Sequence, residues 1–417
     1  MSDIDRMDMT RMNVAYTGEG GPLFNLSIKT SLLTIVTLGI YRFWARTRLR
    51  RFYWSAIRPG GDPFEYTGTG IEKFLGFLIA VAFLAVYLGL FNSALIFFGL
   101  VAWPFGDGET GFDDFTLNLM LNLSFLAVLP MIFYAQYRGR RYMLSRTRWR
   151  GIRFGAEKAA WGYVWRAVGH LLLTIVTLGI LLPRQAWHLE KYMYDRTWYG
   201  DGLFEMGGRW QDLWPAMKHL GIAAAILLGS GLLLATGLGV GIVFGVIGIF
   251  VAYGWFFVGF IHFNVKSFEI MTKQKRLNGE VLFVSEPKTG KVVGQTLLGS
   301  FIASTLASVV LAVIAAILAV FARLTGLMDQ IDFADPESFE FLATAAGIAA
   351  AIAMYVLFFA LFVAFGQVFI TQPILEHYTS QTQVINPHAL ETIQQRAQDD
   401  FAEAEGFADA LDVGAAI

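Results

Sequence analysis

The chain contains no cysteine. Disulfides, thiolate nucleophiles and Cys-based metal sites are therefore excluded, while the compartment stays open because membrane proteins often lack cysteine. Charge is scarce as well: only 16% of the 417 residues are Asp, Glu, Lys or Arg, and the net charge of -1 offers no basic field for nucleic acid. The six histidines, His170, His188, His219, His262, His377 and His388, are scattered, with no HExxH and no pair at i and i+4, so no metal and no other cofactor is expected. Residues 1–14 are polar and carry no apolar core, which predicts no cleavable signal peptide.

Apolar sequence is abundant instead. Hydrophobic residues make up 55% of the chain, and they lie in unbroken blocks rather than in periodic stripes. Residues 74–103 and 116–137 are each long enough to cross about 30 Å of hydrocarbon. Residues 219–263 are too long for one helix and are broken at Gly237-Leu238-Gly239, which predicts a tight helical hairpin. Residues 294–322 and 341–370 complete six spans. None has an acid or base in its middle, which weakens a proton-coupled carrier.

Polar connections alternate in sign. Arg138, Arg140, Arg141, Arg146, Arg148, Arg150 and Arg153 follow the second span, and Lys266, Lys273, Lys275 and Arg276 follow the fourth. Residues 104–115 and 323–340 are acidic, and residues 389–411 read as an acidic helix in a polar tail from 372. The positive-inside rule puts the basic segments and both termini in the cytoplasm.

The sequence Leu-Leu-Thr-Ile-Val-Thr-Leu-Gly-Ile occurs twice, at residues 32–40 and 172–180. The offset of 140 between positions 32 and 172 goes on to align Arg51 with Lys191 and Phe64-Glu65 with Phe204-Glu205. A duplication with copies at 23–155 and 164–286 follows, flanked by a polar segment at 1–22 and by a helical hairpin at 294–371. The first copy's stretch at 24–40 holds only about ten strongly apolar residues, half a bilayer; the second, at 164–182, is just long enough to span, but letting it cross would put the basic loop after the fourth span outside. A short re-entrant or interfacial helix is expected in both copies. Four polar blocks share a glycine followed by a phenylalanine: Gly61 with Phe64, Gly151 with Phe154, Gly200 with Phe204 and Gly279 with Phe283. Each is predicted to form a small cytoplasmic β-hairpin, pairing with its repeat-mate. The expected class is thus an all-α polytopic membrane protein with an internal duplication and small hairpin blocks.

Residues 32–66, with Thr37-Leu38-Gly39-Ile40-Tyr41-Arg42-Phe43-Trp44, Arg50-Arg51-Phe52-Tyr53-Trp54 and Gly61-Asp62-Pro63-Phe64-Glu65-Tyr66, resemble the bacterial YjgN-like family of inner-membrane proteins, a domain-of-unknown-function family. The resemblance implies a multi-pass protein of the bacterial cytoplasmic membrane and supplies no catalytic residue. The second copy departs from it, with Leu181-Leu182-Pro183 in place of Tyr41-Arg42-Phe43.

Local motifs are better explained by packing than by chemistry. Gly290-Lys291 lacks the rest of a phosphate loop. Gly241 with Gly245, Ala303 with Ala307 and Ala312 with Ala316 are small-xxx-small helix contacts. The site candidates are Arg42, Trp44, Arg46, Arg50, Arg51, Arg140 and Arg141 at lipid headgroup depth, and His170 as a polar group within an apolar segment. No enzymatic constellation is present. A permease or pore for a small or lipid-like solute is one expectation, and a non-catalytic protein binding lipids or partner proteins is the alternative.

Overall fold

A computed structural model describes residues 11–98, 114–325 and 345–396. The acidic connections at 104–115 and 323–340 lie largely outside the described residues, as does the tail beyond 396. Mostly helical, the chain orders its elements as β1 Arg11–Tyr16, α1 Gly20–Val36, α2 Arg42–Ala56, β2 Ile57–Pro59, β3 Phe64–Tyr66, α3 Gly70–Phe97 and α4 Asp114–Ser145. There follow β4 Thr147–Trp149, β5 Ile152–Ala156, α5 Ala160–Val176, α6 Leu182–Tyr194, β6 Thr197–Tyr199, β7 Gly202–Met206, a 3-10 helix Trp210–Met217, α7 Lys218–Ala235 and α8 Gly239–Lys273. The remainder is β8 Lys275–Leu277, β9 Val281–Ser285, α9 Thr289–Leu324, α10 Ala345–Gly366, a π turn Gln367–Thr371, α11 Gln372–Ser380, β10 Thr382–Ile385 and a 3-10 turn Pro387–Leu390.

Among the described residues, six helical stretches are long and apolar enough to cross a membrane: Gly70–Phe97, Leu117–Ser145, Trp210–Ala235, Gly239–Lys273, Thr289–Leu324 and Ile348–Ser380. They correspond to the six apolar blocks of the sequence. Their outward faces carry exposed large apolar side chains such as Leu90, Phe250, Leu298 and Phe301. In water such a surface would aggregate, whereas hydrocarbon solvates it.

Two compact units arise. One holds the described residues of Met1–Val14, Arg58–Pro287 and Gln381–Ile417, the other Ala15–Ile57 and Lys288–Ser380. Within the first, α7 and α8 form the hairpin expected at Gly237. A Cβ at Gly245 would lie 3.0 Å from the Ser230 carbonyl on α7, and one at Gly259 equally close to the His219 backbone, so these small residues set the close approach. In the second unit, Leu23, Tyr53 and Leu375 form a core with Val368 against it, and the Tyr53 hydroxyl donates to Gln367 Oε1 at 2.7 Å.

The principal correction concerns the polar blocks. Three of the four do form hairpins, β4–β5, β6–β7 and β8–β9, but they do not stand apart, and the protein is not all-α: among the described residues ten short strands make one sheet in the order β2-β1-β10-β9-β8-β7-β6-β5-β4-β3. Its two edge strands, β2 and β3, are consecutive in the chain, so the sheet is a nearly closed ring. Repeat-mates do not pair. Each block pairs with the next one along the chain, as in Phe64 opposite Trp149 and Phe154 opposite Tyr199, because the helices between successive blocks bring the chain back beside its last strand. The fifth pair joins the two chain ends, with Arg11 opposite Ile385. The stretch read as a tail from residue 372 therefore supplies α11 and β10, and residues 387–390 form a single 3-10 turn in place of the start of an acidic helix.

Alternation fixes what faces into the ring. In β7, Gly202, Phe204 and Met206 are buried while Leu203 and Glu205 are exposed. The phenylalanines of all four blocks meet in its core, with ring centroids 6.1 Å apart for Phe64 and Phe154, 6.4 Å for Phe154 and Phe204, and 6.1 Å for Phe204 and Phe283. These are ordinary aromatic contact distances.

Candidate membrane-interaction site

The repeated nonapeptide builds the same object twice. α1 ends in a turn over residues 37–41 and α2 runs back against it, and α5, the turn over 177–181 and α6 do likewise. Gly39 N–H donates to the Thr34 carbonyl at 2.7 Å and Leu38 N–H to Ile35 at 2.9 Å; in the second copy Gly179 donates to Thr174 at 2.7 Å and Leu178 to Ile175 at 2.9 Å. This 6→1 and 5→2 pair is a Schellman C-cap. The threonine hydroxyl then joins the two helices: Thr37 Oγ1 accepts from Tyr41 N–H at 2.9 Å, and Thr177 Oγ1 from Leu181 N–H at 3.2 Å.

The residue that enters the left-handed region first is unusual. Leu38 and Leu178 both have φ of 50°, followed by Gly39 at 92° and Gly179 at 88°. Glycine is the ordinary choice at this cap position, and a leucine there costs about 1–2 kcal/mol of backbone strain. The strain gains no internal contact, since Leu38 is 94% and Leu178 93% exposed. Val36 and Val176, at 78% and 79%, share the tip with Ile40 and Ile180. A strained, outward-pointing leucine among exposed aliphatics suits an apolar surrounding.

Below the first tip aromatics and arginines interleave. Tyr41 and Trp44 stack at 6.1 Å on either side of Arg42 in the sequence, and Arg46 lies about 6 Å of helix beyond Arg42. Arg42, Arg46 and Arg50 repeat at i and i+4 and so share a helix face, half-buried, whereas Arg48 and Arg51 are exposed. Arg48 lies over the Tyr41 ring at 5.6 Å and Arg50 over Trp54 at 5.9 Å. In the second copy Trp161 and Trp165 on α5 are exposed below the tip. An apolar tip above aromatics and cations matches the groups of a membrane interface.

The other candidates sit elsewhere. Arg140, near the end of α4, faces Glu190 on α6 at 3.9 Å, and Glu190 is held by Lys275 Nζ at 2.7 Å. Burial alone would raise the Glu190 pKa, but Lys275 and Arg140 outweigh it and hold the carboxyl down to about 2. Arg140 thus belongs to an internal ion cluster. Arg141 is half-buried on α4. His170 is half-buried and its ring stacks on His188 at 4.8 Å. His188 escapes sequence reasoning because the two histidines come together only when α5 and α6 fold back on each other. A second pair, His219 and His262, lies 4.5 Å apart between α7 and α8. Among the described residues no group of three metal-binding side chains forms.

A family model described as bacterial protein of unknown function (DUF898) matches residues 11–306. The inner membrane protein YjgN of Salmonella typhimurium is 28% identical over 202 residues, covering 43% of this chain and 46% of that protein. Its namesake from Escherichia coli O157:H7 is 28% identical over 162 residues, covering 39% and 35%. The match spans less than half the length of these curated relatives. No solved structure matches.

Proposed function

We propose, for a chain that belongs to the DUF898 family of bacterial proteins of unknown function, a multi-pass inner-membrane protein that is non-catalytic and engages anionic lipid through its two short helical hairpins. The observation that carries this reading is the strained leucine at each tip, exposed among aliphatics and followed down the stem by aromatics and arginines. Both tips enter the cytoplasmic leaflet and return. Arg42, Arg46, Arg50 and Arg51 then lie near the headgroups, each attracting anionic lipid by about 1 kcal/mol, and the ring of strands faces the cytoplasm with both chain ends. Parity supports this arrangement: with α1–α2 and α5–α6 returning to the side they left, every basic segment stays inside.

A chain without native cysteine gives a clean test. Single cysteines at Ser55, Glu205, Lys273 and Thr325 are treated in intact cells with an impermeant maleimide, and only the one at 325 reacts. Cysteines at Leu38 and Leu178 resist that reagent in opened membranes too, but react with a lipid-soluble maleimide. Labelling at 205 or 273 from outside would sink the topology.

The duplication also favours a second reading, a permease or pore for a lipid-like solute, because repeated halves with short inserted helices recur in transporters. It requires solute leak from vesicles above the protein-free level, abolished by substitution of Arg42, Trp44 or His170; vesicles that stay sealed leave the lipid-binding reading alone.

A further inference from the structure

The ring of strands surrounds a partly open cavity of about 210 Å³. Phe64, Phe154, Phe204 and Phe283, one from each polar block, line it, together with Tyr194 and Leu390. The lining is carbon almost throughout. Tyr199 also contributes its ring, but its hydroxyl donates to the Trp149 carbonyl at 3.0 Å and is already used. Water needs two to four polar partners to occupy such a space, and an apolar cavity of about 150 Å³ in another protein stays dry and takes up benzene. Ten strands make a ring wider than the eight whose interior side chains just fill, so the space follows from the strand number.

Two elements approach the cavity from opposite ends of the strands. Tyr194 is the last residue of α6, and α4, α6 and α8 each run directly into a strand of the wall. Leu390 belongs to a strap, residues 386–396, fastened to the strand turns: Asp201 N–H donates to the Gln394 carbonyl at 2.9 Å, Gln394 N–H to Asp201 Oδ1 at 2.9 Å, and Arg153 N–H to Gln395 Oε1 at 2.8 Å. On the side of Tyr194 the strands of the wall continue from α4 and α8, which are long and apolar enough to span a membrane, and the abundant apolar solute on that side is lipid. The chain beyond the strap is a poor alternative filler, because Asp399, Asp400, Glu403, Glu405, Asp409 and Asp412 are interspersed among its apolar residues, and burying one of these would bring a carboxylate against carbon.

We propose that the ring of strands is a binding site for the methyl-terminal part of a single fatty acyl chain, held by the four block phenylalanines and flanked by the strap. This site is separate from the hairpin tips, and either can fail without the other. It is tested with full-length protein in phosphatidylethanolamine–phosphatidylglycerol vesicles containing palmitic acid with a terminal diazirine. After irradiation, adducts are mapped by peptide mass spectrometry. Adducts are expected on the peptides of β5, β7 and β9, competed away by excess palmitate, as well as on the lipid-facing helix α9, which reports general labelling. Val384→Phe, which fills the cavity, lowers the strand adducts at least fivefold relative to those on α9. Leu390→Ala, which enlarges it, raises them about twofold. Adducts confined to membrane helices in the full-length protein overturn the proposal. So does strand labelling that arises only in a chain ending at Arg396, because the tail would then be the natural occupant.

Discussion

The two short hairpins share a tip and differ in the stem. From Leu32 to Ile40 and from Leu172 to Ile180 the sequence is identical, and the cap hydrogen bonds agree within 0.1 Å. At the next residue, Tyr41 against Leu181, the copies part: α2 continues with Arg42, Phe43 and Trp44, α6 with Leu182, Pro183 and Arg184. Because the same tip forms on both stems, its geometry is local, set by the threonine, the left-handed leucine and the glycine. The stems answer to their separate neighbours. Where α2 has Arg50, α6 has Glu190 bound to Lys275 and Arg140, and where α1 has the buried Thr30, α5 has His170 stacked on His188.

The largest effect that can separate the copies lies at positions 50 and 190. Glu190→Gln leaves Lys275, 12% exposed, without its counter-charge, and should destabilise the protein by about 3 kcal/mol, near the lower end for breaking a buried pair. Arg50→Gln at the equivalent position removes a half-buried cation and should cost under about 1 kcal/mol. The Glu190 carboxyl is depressed from 4.5 to about 2, so its contribution is complete above about pH 4.5 and is lost as pH falls towards 2. Unfolding midpoints in detergent at neutral pH, compared between the two variants, check the difference. Equal losses would mean that the stems are interchangeable.

That contrast also marks what the amino-acid sequence reveals unaided. Spans show through length and apolarity alone, so α3, α4, α7, α8, α9 and α10 are all legible. The repeated tip is legible because its letters recur, and the four phenylalanines because each follows a glycine at nearly constant spacing. Ring closure is not. Strands such as Ile57–Pro59, Thr147–Trp149 and Lys275–Leu277 have three residues each, too few to display a period of two. The fifth pair needs Arg11 to meet Ile385, and no local pattern announces a partner at the other end of the chain. Of the site, the shared helix face of Arg42, Arg46 and Arg50 follows from their spacing, but the contact of Arg140 with Glu190 does not, because Glu190 is brought to it by the α5–α6 fold. The histidine pairs are hidden for the same reason.

The smallest effect is the sharpest test of the shared tip. Leu38→Gly and Leu178→Gly put the ordinary residue at the left-handed cap position. The leucine strain of about 1–2 kcal/mol is relieved, while the unfolded chain gains freedom worth about 0.5–1 kcal/mol. The side chains are almost wholly exposed, so in detergent each leucine contacts the micelle in folded and unfolded chain alike, and its transfer cancels. A net gain of about 0.5 kcal/mol is expected in each single variant. The two gains should be equal, because the caps are equal. A loss at either position would show that leucine packs against something the tip geometry does not reveal, and unequal gains would show that the stem reaches up to the turn. Equal gains would mean that an apolar residue weakens the isolated protein in both copies, as the proposed entry of both tips into a bilayer requires.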